Sequence, residues 1–138
     1  MTTLPNPRTN FTLRLAGDDG PGCAEFTFRP LTLRETNEIA SSLAEVHHLA
    51  DGTTIAKNCV PQARLMTLRA TLIGWKNLHD EAGAEIVFAT EKEPVRLLGS
   101  LVHPVKAELL DRFPLAWVED LAERVYAMAK TTPADRKN

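Results

Sequence analysis

The sequence predicts an α+β fold: an N-terminal β-hairpin followed by about five helices, with a short strand or hairpin near residues 80–88. Three observations lead to this prediction. Two short segments near the N-terminus alternate apolar and polar residues around a loop of glycine, aspartate and proline. Most of the chain beyond them carries apolar residues three and four positions apart, which is the helical period. The length of 138 residues suits one domain with its own core.

The hairpin is predicted from residues 11–15 and 24–29, which flank the turn-rich stretch 17–22. Alternation gives each strand one buried and one outward face. The buried face would carry Phe11, Leu13, Leu15, Phe26 and Phe28. The outward face would carry Thr12, Arg14, Glu25, Thr27 and Arg29, and the opposite charges of Arg14 and Glu25 could pair across a strand or between chains.

Capping residues and prolines predict the first two helices. A capping box at Thr32–Glu35 opens the first helix, which is expected to end near Asp51-Gly52. Residues 52–60 are then expected to form a loop. Pro61 suits the first turn of a second helix, because its missing N–H is not needed there, and this helix is expected to end at Gly74-Trp75.

The C-terminal half is predicted to contain one short strand and three helices. The turn residues Asp80–Gly83 precede an apolar strand over residues 84–88. A second capping box at Thr90–Glu93 predicts a helix carrying Val95, Leu98, Leu101 and Val102. Two more helices are expected to begin at Pro104 and Pro114. The last has Val118, Leu121, Val125 and Met128 on one stripe, with acidic residues in its first turn and Lys130 at its end.

The domain boundaries follow from the composition of the two ends. Residues 1–10 contain two prolines and small polar residues, so we expect a flexible N-terminal arm. No linker, repeat or low-complexity tract divides residues 11–130, which we expect to form a single α+β domain. Residues 131–138 are polar, and we expect a frayed tail.

The overall composition argues against two classes of partner. Sixteen Lys and Arg against 18 Asp and Glu give a net charge of −2, whereas a nucleic-acid-binding domain usually carries a basic excess. No apolar run approaches the roughly 18 residues of a membrane-spanning helix, and the first residues lack the pattern of a signal peptide. We therefore expect neither nucleic-acid nor membrane binding.

No motif for catalysis or metal binding can be assembled from the sequence. His47, His48 and Asp51 come nearest to a metal cluster, but adjacent residues of a helix point about 100° apart, and we interpret them as a solvated helix end. Cys23 and Cys59 are too few for a disulfide framework and lack a catalytic partner. We therefore expect no enzyme, no cofactor, no metal site and two reduced thiols.

Protein-binding surfaces are the remaining candidates. Tryptophan is enriched at interface hot spots, although in a chain of this size both Trp75 and Trp117 are expected to pack in the core. The hairpin edges offer a second route, because an uncovered edge can pair with a strand of another chain. The candidate partner contacts are Arg14, Glu25, Arg29, Trp117 and Tyr126.

Residues 70–91 resemble a pattern found in small proteins of tailed bacteriophages, many of which are tail assembly chaperones. The segment reads ATLIGWKNLHDEAGAEIVF over residues 70–88 and continues to Thr90-Glu91. It would comprise a helix ending in Gly-Trp, an Asp-x-x-Gly turn, a short apolar strand and a capped helix. The residues that carry the pattern are Gly74, Trp75, Asp80, Gly83 and Phe88.

The resemblance implies a protein that binds the tape-measure protein in the host cytoplasm and is displaced as tail-tube subunits polymerise. Its partners would be these tail proteins or further copies of itself, in a multi-copy assembly. The near-neutral charge differs from the acidic form expected of the chaperones, which keeps a second interpretation open: a small structural protein of the virion at the tail, baseplate or head-tail junction. An enzyme, or a phage-encoded inhibitor of a host enzyme, is a third.

Overall fold

A computed structural model describes residues 9–18, 20–48 and 50–130; for residues 44–47 and 54–58 it describes the backbone and not the side chains. The C-terminal tail and nearly all of the predicted N-terminal arm lie outside the described residues. The fold is α+β, as predicted. In chain order its elements are β1 Phe11–Arg14, β2 Glu25–Phe28, α1 Leu33–Ser41, β3 Ala44–His48, β4 Thr54–Asn58, α2 Val60–Thr71, β5 Leu72–Lys76, β6 Val95–Leu97, β7 Ser100–Val102, α3 Ala107–Leu110 and α4 Leu115–Lys130.

The N-terminal hairpin is confirmed and belongs to a three-stranded antiparallel sheet in the order β1-β2-β5. Phe11 lies opposite Phe28, and Arg14 lies opposite Glu25. Phe26 and Phe28 are completely buried, while the predicted core residues of β1 are half-buried. The sheet therefore has an inner face of aromatic and aliphatic side chains and an outer face of short or charged ones.

Residues 72–76 form the third strand, so the prediction that a helix runs to Gly74-Trp75 is wrong. The chain leaves α2 at Leu72, whose ψ of 120° is extended. Pairing with the central strand explains the change: Trp75 lies opposite Phe26, and the Arg29 N–H donates to the Thr71 carbonyl at 2.9 Å. Cross-strand pairing of residues distant in sequence thus ends a helix that its own apolar spacing would have continued.

A second hairpin, β3–β4, replaces the expected end of the first helix and the expected loop. The capping box is confirmed, since Thr32 Oγ1 accepts from the Glu35 N–H at 3.2 Å and Glu35 accepts from the Thr32 N–H at 3.0 Å. Helix α1 nevertheless ends at Ser41. Residues 44–47 alternate apolar and polar, which is the period of a strand, so His47 and His48 lie on β3 and not at a helix end.

The stretch from 77 to 106 contains the largest departure from the sequence prediction. The Asp80–Gly83 turn is confirmed, but residues 84–88 form only an isolated bridge between His79 and Glu85. The predicted third helix is wrong, because β6 and β7 form a hairpin there. Backbone bonds such as that from the Glu91 N–H to the Pro104 carbonyl, at 2.8 Å, hold the flanking chain extended.

The described residues contain four helices, not five. The short helix α3 begins three residues after Pro104, whereas α4 begins directly after Pro114, as predicted. Helix α4 packs against α2 and the inner face of the sheet, burying Leu121 and Val125 with Leu68 in one core. No helix within the described ranges is long and apolar enough to cross a membrane.

Candidate protein-binding surfaces

The residues that carry the phage-protein resemblance form one connected unit. The Trp75 indole donates from Nε1 to the Ile86 carbonyl at 2.7 Å, and its ring meets that of Phe88 edge-on, with 4.9 Å between centroids. The Asp80 carboxylate accepts from the Ala82 and Ala84 N–H groups, each at 2.9 Å. Gly83 closes the same turn with a φ of 86°, a value that favours glycine. The turn therefore positions Ile86 to receive the indole hydrogen bond.

Gly74 lies in the interior of β5 and not at a helix end. Its φ is outside the left-handed region, and a Cβ built on it would meet no atom within 4 Å. The helix ending in Gly-Trp that the resemblance implied is therefore wrong. Trp75 reaches the core because it stands opposite Phe26 on the inner face of the sheet.

Trp117 belongs to an aromatic cluster that joins the sheet to the last helix. Its ring lies 5.5 Å from that of Phe113 and 6.3 Å from that of Phe26, at edge-on angles of 72° and 64°. Phe113 also lies 5.7 Å from Trp75. Both tryptophans are half-buried, so each packs in the core and also has an exposed edge.

The exposed part of Trp117 faces a cleft, which we call the Trp117 cleft. It lies between the Asp80 turn and the junction of α3 with α4, and its volume is about 620 Å³. Phe113, Ile86 and Trp117 contribute apolar surface, while the rim is polar. The rim side chains are His79, Asp80, Glu81 and Arg112.

Another cleft, which we call the Tyr126 groove, lies between α1, α2 and α4 and has a volume of about 200 Å³. Its walls are almost entirely apolar and come from Ile39, Leu43, Val60, Ala63, Thr67, Ala122 and Tyr126. Arg64 spans one side, with its guanidinium 2.6 Å from Glu123 and 3.8 Å from Glu119. The Lys130 ammonium lies 4.5 Å from the centre of the Tyr126 ring, so a cation stands at the end of this apolar surface.

The outer face of the sheet carries the predicted Arg14–Glu25 pair, with 2.9 Å between Nη2 and Oε1. Lys76 of β5 adds a second cation 2.9 Å from the same carboxylate. The hydrogen bonds from Lys76 and Arg14 hold the pKa of Glu25 below its ordinary value. Because these groups are exposed, the network contributes little stability and mainly sets register.

Arg29 does not point outward with the other charges of the hairpin, so this part of the sequence prediction is wrong. Its guanidinium makes two hydrogen bonds to the buried Glu35, at 2.8 and 2.6 Å. A partner that used Arg29 would have to break this pair and leave a carboxylate unpaired in the core. The pairing could not be read from the sequence, because Glu35 already has a local role in the capping box.

The described part of the chain brings no three His, Cys, Asp or Glu side chains into an arrangement that could hold a metal ion. Cys59 is buried at the start of α2, and Cys23 is half-buried in the β1–β2 connection. Among the described residues, the arrangement thus offers the Trp117 cleft, the Tyr126 groove and a sheet with an exposed outer face. No family model matches the chain, and no curated protein or solved structure is significantly similar to it.

Proposed function

We propose that this chain is a tail assembly chaperone of a tailed bacteriophage, which binds the tape-measure protein in the host cytoplasm before the tail tube polymerises. The observation that carries the proposal is the resemblance of residues 70–91, whose five pattern residues include Trp75, Asp80 and Gly83. In the fold this segment joins the sheet to the aromatic cluster. A chaperone of this class covers apolar surface on its partner, which requires a complementary apolar surface of its own.

The Tyr126 groove supplies such a surface. A tape-measure protein is a long helix with apolar stripes, and an amphipathic helix binds by laying its apolar face into a hydrophobic groove. Leu43 and Tyr126 line the groove and remain partly exposed. The Arg64–Glu123 pair on its side offers both charges to the polar flank of a bound helix. We therefore assign the tape-measure contact to this groove.

Co-expression with the tape-measure protein of the same phage tests the proposal. The wild-type chain should keep the tape measure soluble and co-purify with it. Leu43→Glu places a charge in the groove and should abolish both effects. Leu115→Glu is the matched control, because Leu115 is exposed, lies outside the groove and should tolerate the charge. Equal recovery of the tape measure with and without the wild-type chain would rule out the chaperone activity.

A small structural protein of the virion is the second candidate. The observation that favours it is the net charge of −2, since the assembly chaperones are expected to be more acidic. Mass spectrometry of purified virions separates the two functions. Stoichiometric presence in the particle selects the structural protein, whereas absence together with tape-measure binding in lysates selects the chaperone.

A further inference from the structure

The turn between β6 and β7 brings together two arginines from distant parts of the chain. Arg96 on β6 donates from Nη1 to the Gly99 carbonyl at 3.2 Å. Arg34, in the first turn of α1, also lies against this glycine, because a Cβ built on Gly99 would be 3.2 Å from Arg34 Nε. The two exposed cationic side chains therefore meet at one glycine.

Neither of these arginines is neutralised by the described part of the chain. Other arginines lie within 4 Å of a carboxylate, namely Arg14, Arg29, Arg64 and Arg124. Among the residues that the structure describes, Arg34 and Arg96 have no carboxylate within that distance, and Glu38, one turn along α1 from Arg34, is no exception. Like charges that approach each other repel, so a carboxylate from another molecule is favoured here.

The backbone of the turn supports the two arginines. Leu97 lies opposite Ser100, so the loop has two residues, and both are left-handed, with a φ of 52° at Leu98 and 80° at Gly99. These values are typical of a type I′ turn, which matches the twist of a hairpin. The Leu98 side chain is buried in the core and attaches the loop to the body of the protein. A fixed loop lowers the entropy that is lost when its neighbours bind a partner.

An exposed leucine accompanies each arginine. Leu33, which directly precedes Arg34, keeps 78% of its surface exposed, and Leu101 keeps 63%. Leu101 is the cross-strand partner of Arg96, so the two side chains project from the same face of the hairpin. Positive charge without a counterion and exposed apolar surface therefore occur together. We call these residues the Arg34–Arg96 patch: Leu33, Arg34, Arg96 and Leu101.

We propose that the Arg34–Arg96 patch binds an acidic segment of another protein, in which carboxylate side chains are interspersed with apolar ones. The planar guanidinium group binds a carboxylate through two parallel hydrogen bonds, and arginine is enriched at protein interfaces. The apolar side chains of the segment cover the two exposed leucines. The net charge of −2 disfavours nucleic acid as the occupant. The patch shares no residue with the Tyr126 groove, so the inference does not rest on tape-measure binding.

Fluorescence anisotropy with a labelled peptide tests the patch on the purified chain. The probe is the capped peptide LDELLEDL, and we expect a dissociation constant of about 10–100 μM, because a small patch buries little surface. The double variant Arg34→Gln/Arg96→Gln should bind about tenfold more weakly. Arg112→Gln is the matched control, since Arg112 is an exposed arginine at the Trp117 cleft, and it should bind like the wild type. Leu33→Ser/Leu101→Ser should also weaken binding, and Leu115→Ser, at a residue 67% exposed, should not.

Several results would overturn the inference. One is a wild-type chain that does not bind the peptide at about 1 mM. Another is equal binding by the Arg34→Gln/Arg96→Gln and Arg112→Gln proteins. Equal binding of the peptide SDESSEDS, or tighter binding of a single-stranded DNA oligonucleotide, would show a nonspecific anion site or a nucleic-acid site instead. Leu43→Glu should bind the peptide like the wild type, so the loss of tape-measure binding and the loss of peptide binding are separate results.

Discussion

Arg29 and Glu35 form a bidentate ion pair that connects the end of β2 to the first turn of α1. Arg29 Nη1 lies 2.8 Å from Glu35 Oε1, and Nη2 lies 2.6 Å from Oε2. The Glu35 side chain is completely buried, and it also accepts from the Thr32 N–H. One carboxylate therefore caps a helix and neutralises a cation from the sheet, so the two elements are positioned relative to each other.

Removing the cation of this pair should strongly destabilise the protein. Arg29→Ala leaves the Glu35 carboxylate buried and unpaired, at a cost of about 3–5 kcal/mol in the free energy of unfolding. Arg14→Ala breaks the exposed pair with Glu25 and should cost about 0–1 kcal/mol. Urea denaturation of both variants measures the difference. Equal midpoints for the two variants would contradict the structural role of Arg29.

The same pair should make stability depend on pH in the acid range. Burial by itself raises the pKa of Glu35, but the hydrogen bonds from Arg29 and Thr32 outweigh it and hold the pKa below its ordinary value of 4.5. A lowered carboxyl pKa contributes stability that is fully present above the unfolded-state pKa and is lost as the pH falls through the folded-state pKa. Urea midpoints should therefore fall below about pH 4.5 in the wild type, and less steeply in Glu35→Gln.

Trp75 should be required for folding, because it joins the sheet to the Asp80 turn. Trp75→Ala removes the ring from the aromatic cluster and should cost about 3–5 kcal/mol. Trp75→Phe retains a ring but loses the hydrogen bond from the indole to the Ile86 carbonyl. The Phe variant should therefore lose less unfolding free energy than Trp75→Ala, by about 1–2 kcal/mol or more. Thermal unfolding compares the three proteins. An unchanged melting temperature with lost partner binding would instead make Trp75 an interface anchor.

The turn between β6 and β7 should not tolerate a side chain at Gly99. Its φ is 80°, and a Cβ would lie 3.2 Å from the Arg34 side chain. Gly99→Ala should therefore destabilise the protein by about 1–2 kcal/mol. Gly20→Ala is the control, since that glycine has open surroundings and no left-handed φ, and it should be neutral or slightly stabilising. Urea denaturation distinguishes the two.

Function should not require a thiol or imidazole. Cys23→Ser, Cys59→Ser and the double variant His47→Ala/His48→Ala should each complement a phage that lacks the gene, because the proposed activity is binding. Circular dichroism must first show that each variant is folded, since Cys59 is buried. Loss of plaque formation with a folded variant would point back to metal or thiol chemistry.

Short-range signals determined the elements that the sequence predicted correctly. The alternation around residues 17–22, the Thr32–Glu35 capping box, the Asp80–Gly83 turn and the stripe of α4 all act within a few residues. Local chemistry is visible in a sequence because the interacting groups are neighbours in the chain. Trp117 and Tyr126 were predicted as partner contacts, Trp117 because tryptophan is enriched at interfaces, and these stay predictions. The clefts that they line could not be predicted from the sequence.

Only the tertiary structure decided whether the remaining apolar segments form helices or strands. Residues 72–76 and 95–102 have helical spacing, but short apolar runs do not distinguish a helix from a strand. Pairing with β2, a strand more than forty residues away, makes β5. Leu98 adopts a left-handed φ of 52°, and its burial in the core compensates for that strain. Such long-range contacts also formed the Arg29–Glu35 pair and the Tyr126 groove, because each joins groups that become neighbours only when the chain has folded.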